Sequence, residues 1–217
     1  MAQLFPHSAN SIVRAVLISA PLVVGAAAWA TFTAYWSSYN TDVGVPRHQT
    51  IPFSHKHHVG GLGIDCRYCH TGVETSAFAG IPPTETCMTC HSQVWRDAPA
   101  LQPVRDSWTS GTPLRWTRVH KLPDYVFFNH SAHVRNGVAC ESCHGRVDEM
   151  PLMAKAENLT MRWCLECHHA PVSHLRPPEE VFEMNDSHEA SSRPPLESAL
   201  FSKPQIARLE DCSICHR

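Results

Sequence analysis

All ten cysteines of this 217-residue chain fall in one five-residue phrase, C-x-x-C-H, that is used five times. The thiol pairs are Cys66 and Cys69, Cys87 and Cys90, Cys140 and Cys143, Cys164 and Cys167, and Cys212 and Cys215. A histidine follows each pair at once: His70, His91, His144, His168 and His216. Two thiols three positions apart can add across the two vinyl groups of a haem, and the next imidazole is then held over the iron. Five motifs predict five haem c. A disulfide framework or zinc ribbons could also use C-x-x-C pairs. Neither explains a histidine after every pair, and tetrahedral zinc would want the pairs grouped two by two.

The elements that position these residues are sparse. The mean hydropathy is −0.24, the formal charge is −2, and long apolar runs are few outside the N-terminal region. A chain of this kind wraps porphyrin faces in place of building an aliphatic core, so the predicted fold is mostly irregular and α-helical around five haems. Nothing in the charge pattern points to nucleic acid.

From residue 15 to residue 36 there is no charged side chain, and Trp29, Tyr35, Trp36 and Tyr39 cluster toward the far end. That length suits one transmembrane helix, with an aromatic belt at its interface. A cleaved secretory signal ending near Ala30 is the competing reading; the run continues past that point, which favours an anchor. Pro21 and Gly25 are places for a kink or a close helix neighbour. Arg14 is a weak positive-inside signal, whereas attachment of haem c on the outer face of the cytoplasmic membrane sets the orientation. The expected organisation is a cytoplasmic N-terminus (1–14), a transmembrane helix (15–36) and a periplasmic pentahaem domain (37–217), single-pass in the inner membrane.

The soluble part contains a repeat. Phe53-Ser54-His55-Lys56-His57-His58-Val59 and Phe128-Asn129-His130-Ser131-Ala132-His133-Val134 both read F-x-H-x-x-H-V. Each precedes two C-x-x-C-H motifs, which defines modules 51–95 and 126–170, with the fifth haem at 196–217. Short helices are expected to start just before each motif. The stretches at Gly80 to Thr84 and Arg176 to Glu179 read as loops, and Asn185 to Pro195 as a polar exposed segment.

A haem that only carries electrons has both axial positions filled, which blocks small-molecule binding. The repeated histidines are therefore the candidate distal ligands. The pattern resembles small multihaem cytochromes, and that resemblance implies that His55 and His130 cap haems 1 and 3 while His58 and His133 cap two others. The fifth distal ligand is open among His120, His169, His174, Met150, Met153 and Met161, with His120 the first choice. A thioether there would raise the potential. His7 falls on the far side of the expected span and His188 in the polar segment.

The N-terminal anchor, the five motifs and several phrases together resemble the pentahaem cytochrome c subunit of bacterial alternative complex III. The phrases are Cys66-Arg67-Tyr68-Cys69-His70, Gly80-Ile81-Pro82-Pro83-Thr84-Glu85-Thr86-Cys87-Met88, Val119-His120-Lys121-Leu122-Pro123-Asp124 and Leu159-Thr160-Met161-Arg162-Trp163-Cys164. This resemblance implies a component of a quinol-oxidising respiratory complex, partnered by an iron–sulfur subunit and polytopic membrane subunits. Electrons would pass from iron–sulfur clusters through the haems to a monohaem cytochrome c or a terminal oxidase. No catalytic residue is expected in the chain itself. A different reading is a membrane-anchored multihaem quinol dehydrogenase of a periplasmic reductase pathway, against which the fifth motif and the doubled histidine pairs count. A multihaem reductase would want a modified motif such as C-x-x-C-K, and there is none.

Overall fold

The computed structural model describes residues 5, 6, 8–184 and 208–216. His7, His188, Arg217, the segment Asn185 to Pro195 and residues 196–207 of the expected fifth-haem segment lie outside the described residues. The chain divides into two units, Met1–Asp42 and Val43–Arg217.

The first unit is helical. Helix α1 spans Ala9–Trp36 and a short α2 spans Ser38–Thr41. Apolar residues dominate α1 and no formal charge interrupts it after Arg14, so from residue 15 onward the helix favours an apolar surround. Pro21 lies inside the helix without ending it. None of its residues is buried by the protein, and it is long and apolar enough to cross a membrane. Thr31 and Thr33 return their hydroxyls to the carbonyls of Ala27 and Ala30, which removes polar groups from the helix surface. The observed helix begins six residues before the expected span, at Ala9 rather than Ala15.

The second unit has no β-strand among the described residues, only isolated bridges such as Val43 with Lys155 and Val126 with His216. Its elements are a π-helix at Lys56–Gly61, α3 (Cys66–Cys69), α4 (Thr84–His91), α5 (Gln102–Ser110), α6 (His130–Arg135), α7 (Cys140–His144), α8 (Met161–His169) and α9 (Cys212–Cys215). Buried aliphatics are few and small, Val104, Val181, Ala139 and Leu175 among them. The helical, irregular architecture with one apolar N-terminal helix is the one that the sequence predicts. Helices α4 and α8 begin three residues ahead of their first cysteine, whereas α3, α7 and α9 begin on it.

The two halves of the repeat are joined through backbone. Gly60 of the π-helix sits against the carbonyl of Asp148 so closely that a Cβ would collide with it. Lys56 N–H donates to the carbonyl of Met150 at 3.0 Å. Gly137, at φ +89°, lies against Arg176 O with no room for a Cβ, and Gly137 O accepts from Arg176 N–H at 2.8 Å. Glycine is required there on both counts. The Arg176 guanidinium in turn pairs with Glu141 of α7, both side chains about nine-tenths buried.

Candidate haem sites

Each C-x-x-C-H forms one helical turn, which puts its two cysteines on the same face. Three of these turns carry side-chain caps. Asp65 accepts from Arg67 N–H at 2.8 Å, Thr160 from Trp163 N–H at 3.4 Å and Asp211 from Ser213 N–H at 2.9 Å. Numbered by motif, sites 1 to 5 are built on α3, α4, α7, α8 and α9.

The histidine rings are aimed by their outer nitrogens. Nδ1–H of His70 donates to Gly80 O at 2.7 Å, that of His91 to Val94 O at 3.0 Å and that of His168 to Leu209 O at 2.8 Å. His216 reaches Tyr125 O at 3.2 Å. In the repeat, His58 donates to Ser54 O and His133 to Asn129 O, each at 2.8 Å and four residues back; His130 donates to Ala77 O at 2.9 Å. A carbonyl only accepts, so each bond places the proton on Nδ1 and leaves the lone pair of Nε2 free for a metal.

The imidazole rings meet in pairs. His55 and His70 have ring centres 6.5 Å apart and planes 5° from parallel; for His130 and His144 the values are 6.4 Å and 8°. His58 faces His91 at 6.1 Å and 69°, and His133 faces His168 at 6.2 Å and 33°. An iron with imidazole nitrogens about 2 Å away on both faces, each about 1 Å from its ring centre, separates the centres by about 6 Å. All four pairs fit that requirement, and a thiol pair stands beside each. Among the described residues no three metal-ligating side chains converge in the way a zinc cage would need.

Sequence reasoning missed the part played by Phe53 and Phe128. Phe53 presents its edge to His55 at 4.9 Å and stacks on His58 at 4.4 Å. Phe128 does the same with His130 at 4.8 Å and His133 at 4.4 Å. The repetition of phenylalanine two residues before the first histidine was the available signal. His57 is exposed, stacks on Trp95 at 5.7 Å and stands edge-on to His58 at 5.5 Å.

Of the candidates for the fifth distal position, His120 lies edge-on to His144 at 4.4 Å, its Nε2 buried without a hydrogen-bond partner among the described residues. It makes no six-ångström pair with His216, whose ring neighbour is Tyr125 at 5.8 Å. His169, His174 and Met161 are exposed; His169 lies 3.8 Å from Glu210. Met150 and Met153 are half-buried.

Neighbouring sites touch in one order. Tyr68 of site 1 and Thr89 of site 2 share a hydrogen bond of 2.9 Å. Cys140 of site 3 stands against Cys66 of site 1, and their mutual interaction raises the pKa of Cys140 and lowers that of Cys66. Burial lifts the Cys143 thiol of site 3 to about 12, with Cys167 and Cys164 of site 4 next in effect. Cys215 of site 5 adds to burial in raising Cys164. These contacts link site 2 to site 1, 1 to 3, 3 to 4 and 4 to 5. Burial also depresses the imidazoles: His55 to about 4, helped by His70 and His58, and His144 to about 3, helped by His120, His130, His70 and His55. Both rings are neutral near pH 7, as a metal ligand has to be.

No protein-family model matches the chain. At 36% identity, 127 residues, or 58% of the chain, align with the multihaem cytochrome c subunit of menaquinone reductase from Nitratidesulfovibrio vulgaris. The chain is similar to a multihaem cytochrome c. It spans 59% of the length of that relative. The likeness agrees with a C-x-x-C-H chain whose imidazoles pair at iron-ligating distance.

Proposed function

We propose that this protein is the electron-transfer subunit of a quinol-linked membrane complex, anchored by α1, with five c-type haems along the line 2, 1, 3, 4, 5. Bound c-type haem would supply one-electron redox chemistry. The observation that carries the reading is the set of four imidazole pairs at 6.1–6.5 Å. His70, His91, His144, His168 and His216 are the proximal ligands, and the ten cysteines hold the vinyl groups. His55, His58, His130 and His133 are the distal ligands of sites 1, 2, 3 and 4. For site 5, His120 would be the distal ligand, on a buried Nε2 that has no hydrogen-bond partner among the described residues; its ring stands edge-on to His144.

The chain's residues do three things in this reading. Carbonyls aim the imidazoles, the phenylalanines of the repeat hold two rings each, and filled axial positions keep small ligands out. His55 and His58 stand three residues apart on one segment and face different sites, as do His130 and His133, so each segment fixes the spacing of two irons. The complex is proposed to resemble alternative complex III. It would comprise an iron–sulfur subunit that delivers electrons from quinol oxidation, polytopic membrane subunits, and a monohaem cytochrome c or terminal oxidase as acceptor, with the haem domain on the periplasmic side of the inner membrane.

A second reading is favoured by the menaquinone reductase relative, namely that electrons run the other way, into menaquinone. Two measurements test both readings. Pyridine haemochrome on gently extracted protein should return five haems per chain, without stoichiometric binding of carbon monoxide; fewer haems, or an iron that binds carbon monoxide, refutes the wire. Rapid mixing of the intact complex with a quinol or with a reduced donor cytochrome then gives the direction by which of the two reduces the haems.

A further inference from the structure

His55 and His130 hold the same place in the repeat and face His70 and His144 with nearly the same geometry. Phe53 and Phe128 present their edges to them at 4.9 and 4.8 Å. Their outer nitrogens differ. Nδ1 of His130 donates to Ala77 O, and the backbone N–H groups of His130 and Ser131 reach Ala77 O and Ser76 O at 3.2 Å each. Nδ1 of His55 is buried and has no hydrogen-bond partner among the described residues. The reason lies in the repeat. The acceptor at His130 comes from the loop of the module before it, and the repeat places no earlier module ahead of His55. The secondary structure differs as well, since His130 opens an α-helix whereas His55 caps a π-helix.

A buried polar group without a partner calls for an explanation in function or strain. With Nε2 toward the iron, a neutral imidazole carries its proton on Nδ1. An N–H to carbonyl bond raises the basicity of the ligand and so stabilises oxidised iron, whereas a ring without an acceptor is the poorer donor. We propose that the missing acceptor at His55 holds the potential of the iron at site 1 above the value it would have with an anchored ring, and that Ala77 O lowers the potential at site 3. This rests on the ligand reading proposed above.

The test uses His55→Gly and His130→Gly in the full chain in its membranes, grown and assayed with imidazole or 1-methylimidazole. Of the two ligands only imidazole keeps an N–H to donate. At His130→Gly, the imidazole-filled iron should be harder to reduce than the 1-methylimidazole-filled one by about tenfold in equilibrium constant, 59 mV for one electron. At His55→Gly the two ligands should give the same midpoint to within about twofold, read by spectroelectrochemistry on the restored low-spin haem. Equal separation of the two ligands at both positions, or none at either, overturns the inference. If neither ligand restores a low-spin haem at His55→Gly while both do at His130→Gly, His55 is not an axial ligand, and the ligand reading falls together with the inference.

Discussion

Replacing His58 by alanine separates a ligand from a surface histidine, because His57 stands beside it as a control. His58 faces His91 at 6.1 Å, so His58→Ala should open site 2 and leave the other four closed. One haem in five should become high-spin and bind one carbon monoxide per chain. The ring also stacks on Phe53 at 4.4 Å and donates to Ser54 O at 2.8 Å. Their loss removes about 1 kcal/mol for the hydrogen bond and about 1 kcal/mol for the aromatic contact, besides the iron bond. Site 1 adjoins site 2 through Tyr68 and Thr89, so its midpoint should shift while that of site 5 holds. His57→Ala removes an exposed stack on Trp95 and an edge contact with the His58 ring, and costs about 0.5 kcal/mol with an unchanged low-spin spectrum. Absorption and electron paramagnetic resonance spectra of the oxidised variants, followed by a redox titration, read all of this. A high-spin haem in His57→Ala and none in His58→Ala would refute the register of the pairs in both modules.

Parallel imidazole planes split the iron orbitals strongly and perpendicular planes leave them nearly degenerate. Sites 1 and 3, at 5° and 8°, should therefore give ordinary rhombic low-spin signals, and site 2, at 69°, a signal of large maximal g value, in low-temperature spectra of the oxidised protein. Acid should open the sites. An unfolded histidine takes up its proton near pH 6.5, while His55 and His144 resist until about 4 and about 3, so below pH 6.5 the unfolded state binds more protons and stability falls as pH falls; thermal melts at pH 7 and pH 4.5 that coincide would contradict this. Arg176→Ala leaves Glu141 charged and buried, and should cost about 3 kcal/mol, seen as a lowered melting temperature with the Soret intensity retained at 25 °C. At site 5, the near-infrared band of methionine ligation in the oxidised protein would displace His120 in favour of a thioether.

The chemistry was legible because it is written in residue types at short range. Thiols three apart with a following histidine form one turn whatever surrounds them, and the F-x-H-x-x-H-V repeat announced its own symmetry. Where the second histidine of each pair points was open, since that depends on which turns pack together. The link from Ala77 to His130 spans 53 residues, and the contact of Cys66 with Cys140 joins different modules; no local pattern carries either. Helices α4 and α8 start ahead of their motif as expected, whereas α3, α7 and α9 start on the cysteine itself, α3 and α9 behind side-chain caps from Asp65 and Asp211. The six extra residues at the start of α1 are Ala9 to Arg14, polar and apolar mixed, where hydropathy ends sooner than helical backbone does.

The same repeat explains why the sites form a line. His55 and His58, like His130 and His133, stand three residues apart and pair with histidines of different motifs, so one F-x-H-x-x-H segment addresses two sites with no linker between them. Each module thereby couples its own two sites. Coupling between modules needs contacts from outside the repeat, and these are the ones the structure supplies at its centre: the 76–77 loop on His130, Gly60 against Asp148, and the Cys66 to Cys140 pair. The fifth site is attached differently, with Leu209 O on His168 and Phe127 N–H donating to Cys215 O at 2.8 Å. It has no F-x-H-x-x-H of its own, which is why its distal ligand is the one that pattern does not name. Sites 2 and 5 are thus the ends of the line, and donor and acceptor should each meet one of them.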